Sequence, residues 1–509
     1  VASMPARDAE PAVLDLGTAG RPLALLCSVV MVVRATYVPR PLRNDEGGYL
    51  LVARQWHTGG EFLYGDYFVD RPPLLMLIFR LASLVEWDQA VRVLAIPFVL
   101  LFVLAGWRAG TLLGGPAGGR WAAVVAASVM CSPWLAAEQA DGELFGAAFV
   151  MAAIALALSA WHADSGTGRL CWAGAAGVAA AAAPLVKQNL LEGLVLLAGL
   201  VLYGCWSHDG AARHRALRIA PAALVGALVP CAVALVWLTA ARSGLSAAWR
   251  DLVAFRGAAF DTIWASSPDA SIRRAWLLVG LGLVTGLLPV VLTWFLAASR
   301  FPRHGSPGLR TITALLVFGV GAIVAGGSYW PPYLLQLAPA AVLAAGAVAP
   351  SVSVPGAWMR GCSRTVVAAA VLGTLASGVV HATVPQLSYS QRIGEWLADS
   401  KAPSDTGLVA YGNAAVLETA DMPSPYPHLW SVPMRTLDPE QTRLRATLAG
   451  PGAPAWIVQV TGLNSWGIDD RSRLRDLLHQ RYRIVAEICG HPVWLRQDLT
   501  RALAPPPPC

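Results

Sequence analysis

Apolar runs of 17 to 25 residues recur along most of this 509-residue chain. Inside lipid a run of that length can satisfy its backbone only as a helix. The runs fall near residues 22–38, 90–112, 120–137, 143–162, 170–186, 190–206, 217–241, 275–298, 310–327, 331–349 and 365–384, about eleven spans by a roughly 20-residue window. Composition agrees: 56 % of residues are hydrophobic and 14 % charged, with a mean hydropathy of +0.53, outside the range of soluble domains. The expected class is an α-helical polytopic membrane protein. One further apolar stretch, 72–85, has only 14 residues with Arg80 inside it, so a helix lying in or re-entering the interface is expected there.

The arginines orient the spans. With the N-terminus inside and 72–85 not crossing, Arg108 and Arg120, Arg169, Arg213, Arg215 and Arg218, Arg300, Arg303 and Arg310, and Arg360 and Arg364 all fall in cytoplasmic loops, as the positive-inside bias requires. Loops 39–89, 137–143, 187–190, 242–274 and 327–331, and everything after 384, then lie outside. A crossing at 72–85 would invert that order. The outside loop 242–274 is the exception: it carries Arg242, Arg250, Arg256, Arg273 and Arg274, partly balanced by Asp251, Asp261 and Asp269. An anionic ligand and a solvated loop explain it equally well.

Residues 1–384 therefore read as a transmembrane domain and 385–509 as an extracytoplasmic soluble domain. Segments 407–411, 455–460 and 492–496 read as short strands and 469–480 as an amphipathic helix, which makes a small α/β domain ending in a disordered PPPPC. Trp396, Trp430, Trp456, Trp466 and Trp494 are expected in its core rather than stacked on sugars. The eight cysteines show no CxxC or metal spacing; only Cys489 and Cys509 are exported, and no disulfide is expected. The first residues lack the layout of a signal peptide, so the first span is expected to remain as an anchor in a bacterial plasma membrane. The net charge of +7 is scattered through loops instead of forming a stripe, which argues against nucleic acid.

Charges concentrate where this topology puts one membrane face. Asp45 and Glu46 follow the first span; Asp70 and Arg71 precede Pro72-Pro73; Glu138, Asp141 and Glu143 share one turn; Lys187 sits at an outside turn that topology would rather leave uncharged. A carboxylate at the interface can have its pKa raised to the range of a general base. A guanidinium fixed beside two prolines matches phosphate oxygens. His57, Asp66 and His381 are weaker candidates. The acidic set could hold a divalent metal, though sequence requires no metal or other cofactor.

In order along the chain, Asn44-Asp-Glu-Gly-Gly-Tyr49, the turn Gly60–Asp66, Asp70-Arg-Pro-Pro73, Arg92, Lys187-Gln188 and Tyr329–Pro339 together resemble the GT-C superfamily. The likeness is to its lipid-phosphate-sugar branch, which includes family 39-type protein O-mannosyltransferases and the lipid A aminoarabinose transferase. The resemblance implies a glycosyltransferase whose first outside loop, 39–89, is catalytic, with interfacial helices. Asp45 would be the base with Glu46 beside it, and Arg71 the ligand of the donor phosphate, aided by Lys187 and Arg242 or Arg256. Asp70 and Asp141 or Glu143 would be further acidic positions, with Glu138 in the same set, and Tyr329 and Tyr333 would belong to a substrate loop. Two departures stand out: Arg71 where the family commonly has lysine, and Pro332 where it often has histidine. The implied partners are a polyprenyl-phosphate sugar, a glycan, lipid or protein acceptor, and the bilayer.

Other classes stay open. A flippase or transporter of lipid-linked glycans would share the buried charges but should show inverted repeats, and none is found. A glycan ligase and a non-catalytic envelope partner remain. The sugar and the acceptor are not legible.

Overall fold

The computed structural model describes residues 16–55, 64–240, 244–299, 307–384 and 389–509. Arg242, His57, Arg300, Arg303 and the first part of the Gly60–Asp66 turn lie outside them.

The chain is a multi-pass helical bundle with a small sheet domain at its C-terminal end. Helix α1 (Leu16–Tyr37) leads to two short helices, α2 (Asn44–Arg54) and α3 (Pro73–Ala82), and then to α4 (Ala90–Met130). The bundle continues with α5 (Gly142–His162), α6 (Gly166–Val186), α7 (Glu192–Trp206) and α8 (Gly210–Ala240). Next come α9 (Gly244–Trp249), a π turn and α10 (Phe255–Ser266), then α11 (Pro268–Val284), α12 (Leu287–Ala298) and α13 (Pro307–Gly326). A 3-10 turn at Pro331–Leu337 runs into α14 (Ala338–Val348), and α15 (Val354–Thr383) closes the bundle.

Among the described residues eight helices are long and apolar enough to cross a membrane, or nine if α11 and α12, bent by 72° at Gly286, form one span. Helix α4 reverses at Gly114-Gly115-Pro116: Gly115 adopts φ +66°, which glycine reaches without penalty, and Pro116 cannot donate to the preceding turn. Eleven spans require both arms of α4 to be counted and the 15-residue α7 to cross. Helix α5 is almost wholly buried at the centre, whereas α8 and α15 leave valines and leucines exposed to lipid. Helix α3 begins at Pro72-Pro73, where proline fits the first turn. Its ten residues rise about 15 Å, half the hydrocarbon thickness, so it does not cross.

The C-terminal domain opens with α16 (Tyr389–Ser400), followed by β1 (Gly407–Ala410), α17 (Ala415–Thr419), α18 (Ser431–Leu437), α19 (Thr442–Ala449), β2 (Trp456–Gln459), α20 (Arg473–Arg481), β3 (Tyr482–Ile488) and β4 (His491–Arg496). The sheet order is β1-β2-β4-β3; β1 and β2 are parallel, the other pairs antiparallel. Trp396, Trp456 and Trp494 are core residues as expected. Two expectations for the tail fail. Cys489 and Cys509 form a disulfide, and the last residues are pinned rather than loose. Trp396 donates to the Ala504 carbonyl at 2.8 Å and the Ala504 amide donates to Ser400 Oγ at 3.1 Å. A proline-rich end has little freedom to lose on ordering, so a few such bonds suffice to hold it.

Candidate active site

The site is built on α2, whose adjacent carboxylates diverge because neighbouring residues on a helix point about 100° apart. Glu46 turns inward. It takes Nε and Nη2 of Arg92 at 2.8 and 2.6 Å, and the amides of Ala140 and Arg43 at 2.9 Å each. The remaining Arg92 protons cap the carbonyls of Tyr37, Arg40 and Pro41 at the end of α1. Burial alone would raise Glu46, but Arg92 and these amides hold it below the usual carboxylate range. Its lone pairs are occupied, so the catalytic place expected for Glu46 is corrected to a structural one: it fixes α2 to α1 and α4.

Asp45 turns the other way, into a recess. Water can reach 44 % of its side chain, although protein surrounds it at longer range. Burial raises its carboxyl above the ordinary range and Arg71 offsets part of the rise. Oδ1 accepts from Trp430 Nε1 at 2.9 Å. Oδ2 lies 4.0 Å from Arg71 Nη2 and 3.4 Å from the Tyr49 hydroxyl.

Arg71 is placed by its neighbours. Its Nη1 donates to Asp70 Oδ1 at 2.6 Å, its guanidinium lies 5.5 Å from the Tyr49 ring centre, and its carbonyl accepts from Tyr64 at 2.9 Å. Asp70 in turn holds Arg256 at 3.2 Å. Gln188 reaches the Asp70 carbonyl at 3.0 Å and accepts from Arg256 at 3.3 Å. Burial works against ionised Asp70, yet Arg256 and Arg71 keep it below the usual range. Three distant segments thus meet at Asp70.

Lys187, buried, is paired with Glu143 at the start of α5 and lies over the Tyr333 ring at 4.6 Å. Asp141 caps α5 by accepting from the Leu144 amide at 3.1 Å; burial and the neighbouring Glu143 push it well above the usual range. Asn189 and Gln336 exchange hydrogen bonds of 2.6 and 2.8 Å, tying the Lys187 turn to the Tyr333 turn.

Asp45, Asp70, Arg71, Asp141, Glu143, Lys187, Arg256 and Tyr333 are therefore gathered. Glu138 is not: it faces Arg43 at 3.9 Å on the side of Glu46. Tyr329, in the segment just after α13, donates to the Val324 carbonyl of that helix, and His381 contacts the Ser377 carbonyl of α15. Among the described residues no three His, Cys, Asp or Glu side chains converge as metal ligands. Asp70 and Glu143 are ion-paired, with Arg71 and Arg256 and with Lys187, while Asp141 accepts from a backbone amide.

Sequence reasoning missed Trp430, which it placed in the domain core. The C-terminal domain instead docks on α2. The Ala414 amide donates to Asn44 Oδ1 at 2.9 Å and the Phe68 amide to the Pro427 carbonyl at 3.0 Å. A side chain at Gly47 would sit 2.9 Å from the Ala415 backbone nitrogen, and one at Gly48 would run into the Trp430 ring. The Gly-Gly pair exists to admit that domain.

No protein-family profile and no curated protein matches the sequence. Solved structures do. ArnT from Cupriavidus metallidurans in the apo state is 17 % identical, with a TM-score of 0.61 over 94 % of this chain and 98 % of that one. The same protein bound to undecaprenyl phosphate gives 16 % identity and 0.59 over 93 % and 98 %. The archaeal oligosaccharyltransferase AglB from Archaeoglobus fulgidus, in complex with an inhibitory peptide and a dolichol-phosphate, gives 10 % and 0.55 over 97 % of this chain and 75 % of that one. Bundle and C-terminal domain together, this chain shares the fold of ArnT and of AglB.

Proposed function

We propose that this chain is a membrane glycosyltransferase that moves a sugar from a polyprenyl-phosphate donor to an acceptor hydroxyl on the extracytoplasmic side. The observation that carries the reading is the water-accessible Asp45 carboxylate 4.0 Å from Arg71, whose partner Asp70 also holds Arg256. Structures of this fold bound to undecaprenyl phosphate and dolichol-phosphate support the donor class.

The donor phosphate sits against Arg71, with Arg256 nearest to it in the same network. Asp45 Oδ2 takes the acceptor proton as that oxygen attacks the anomeric carbon from the face opposite the phosphate. The new C–O bond forms, the C–O bond to phosphate breaks, and the leaving polyprenyl phosphate carries its charge onto the arginines. The configuration inverts.

The test is turnover by purified protein of a panel of synthetic polyprenyl-phosphate sugars with a crude envelope fraction as acceptor. Asp45→Asn should lose about 10²–10⁴-fold and Arg71→Ala about 10²–10³-fold, both with unchanged elution on size exclusion. Wild-type protein that consumes no donor, or a fully active Asp45→Asn, would refute the reading.

A further inference from the structure

We propose that Trp430 of the C-terminal domain is a positioning residue for Asp45: by holding Oδ1 it leaves Oδ2, the oxygen facing Arg71, as the proton-accepting atom. The inference rests on the reading of Asp45 as the base. Three features carry it. The Trp430 indole donates to Oδ1 at 2.9 Å across 385 residues of sequence. The same ring lies 5.3 Å from the Tyr49 ring, which in turn stands edge-on to Phe79 at 5.2 Å. Gly48 removes the side chain that would otherwise displace the indole.

An aspartate beside a half-open recess has two free torsions and two equivalent oxygens. Indole N–H is a donor only, so it favours the ionised carboxylate, the stronger acceptor, and holds one oxygen. Since the donor arrives with the C-terminal domain, the base is fully oriented only when that domain is docked on α2. Besides Trp430, the groups facing Asp45 are Arg71 and Asp70 before α3, Tyr49 on its own helix, and Glu143 and Asp141 at the start of α5. Arg71 and Trp430 favour the charged form; the three carboxylates and burial oppose it.

The experiment needs no substrate. Purified full-length protein is labelled with dicyclohexylcarbodiimide, which reacts with the protonated carboxyl, across pH 4–9, and the Asp45-containing peptide is quantified by mass spectrometry with Asp45→Asn as blank. Trp430→Phe keeps a ring but loses the N–H. Its labelling midpoint should rise by about 1–2 pH units, the effect of one lost hydrogen bond to a charged group. Gly48→Ala, which displaces the indole without deleting it, should shift the midpoint in the same direction, and the double variant should shift it no further than Trp430→Phe. Gly48→Ala alone decides the matter if Trp430→Phe fails to fold. Unmoved midpoints in folded variants, or additive shifts, would overturn the proposal while leaving the base intact if Asp45→Asn still abolishes turnover. An active Asp45→Asn overturns both.

Discussion

Four donors surround the Glu46 carboxylate, and all the polar hydrogens of Arg92 are engaged by Glu46 and the end of α1. Such a pair withstands burial only while complete; removing one partner strands a charge and costs about 3–5 kcal/mol. Arg92→Met should therefore lower the apparent melting temperature by several degrees and reduce the yield of folded protein. Asp45→Asn, one residue from Glu46, should leave melting nearly unchanged while abolishing turnover. Intrinsic-fluorescence melting of the two variants side by side checks this, and equal melting would mean that Glu46 and Arg92 do not anchor α2. The same pair shows what the sequence could and could not tell. Two adjacent carboxylates look like one acidic motif, yet on a helix they cannot both face one recess. Once Asn44–Arg54 is known to be helical, only one of them is free for chemistry; which one depends on Arg92, 46 residues away.

At the scale of elements, the hydropathy window located the long bundle helices, because length and hydropathy decide a membrane span locally, whereas α9 and α10 lie in 242–274, which reads as a loop in the sequence. The sheet was less legible. Strands β1, β2 and β4 were expected from their apolar runs, whereas β3 was missed: it is an edge strand, its Arg483, Ile484 and Glu487 are exposed, and an irregularity between Ile484 and Ala486 breaks the alternation that identifies a strand. Contacts between α2 and α17 were illegible for a different reason, since they join residues about 370 apart. They are nonetheless narrow. Gly47→Ala would place a methyl group against the backbone of α17, which cannot swing aside as a flexible side chain could. Hydrogen exchange of the 414–420 amides should accelerate about tenfold or more, the signature of a local opening made easier, with turnover falling in parallel. Unchanged protection would show that the domain docks elsewhere.

The whole molecule is joined by a titratable contact as well as by packing. Glu418 of α17 is buried 3.1 Å from Arg54 of α2, and Arg54 also holds Asp88 at 2.8 Å. Burial pushes the Glu418 carboxyl up from 4.5 to about 8, with Arg54 only partly opposing it. Between those two values the folded protein binds a proton at Glu418 that the unfolded chain has released. Stability must therefore fall as pH rises through that window and level off above about 8. The docked C-terminal domain is thus held best at the acidic end of that window and loosens as the pH rises toward 8, taking Trp430 with it. Glu418→Gln keeps the shape of the protonated side chain and cannot ionise. Wild-type protein should lose several degrees of apparent melting temperature between pH 6 and pH 9. Glu418→Gln should lose distinctly less and be the more stable of the two at pH 9. Melting curves that fall in parallel for the two proteins would place the alkaline weakness elsewhere and leave the Arg54–Glu418 contact as packing without a protonic role.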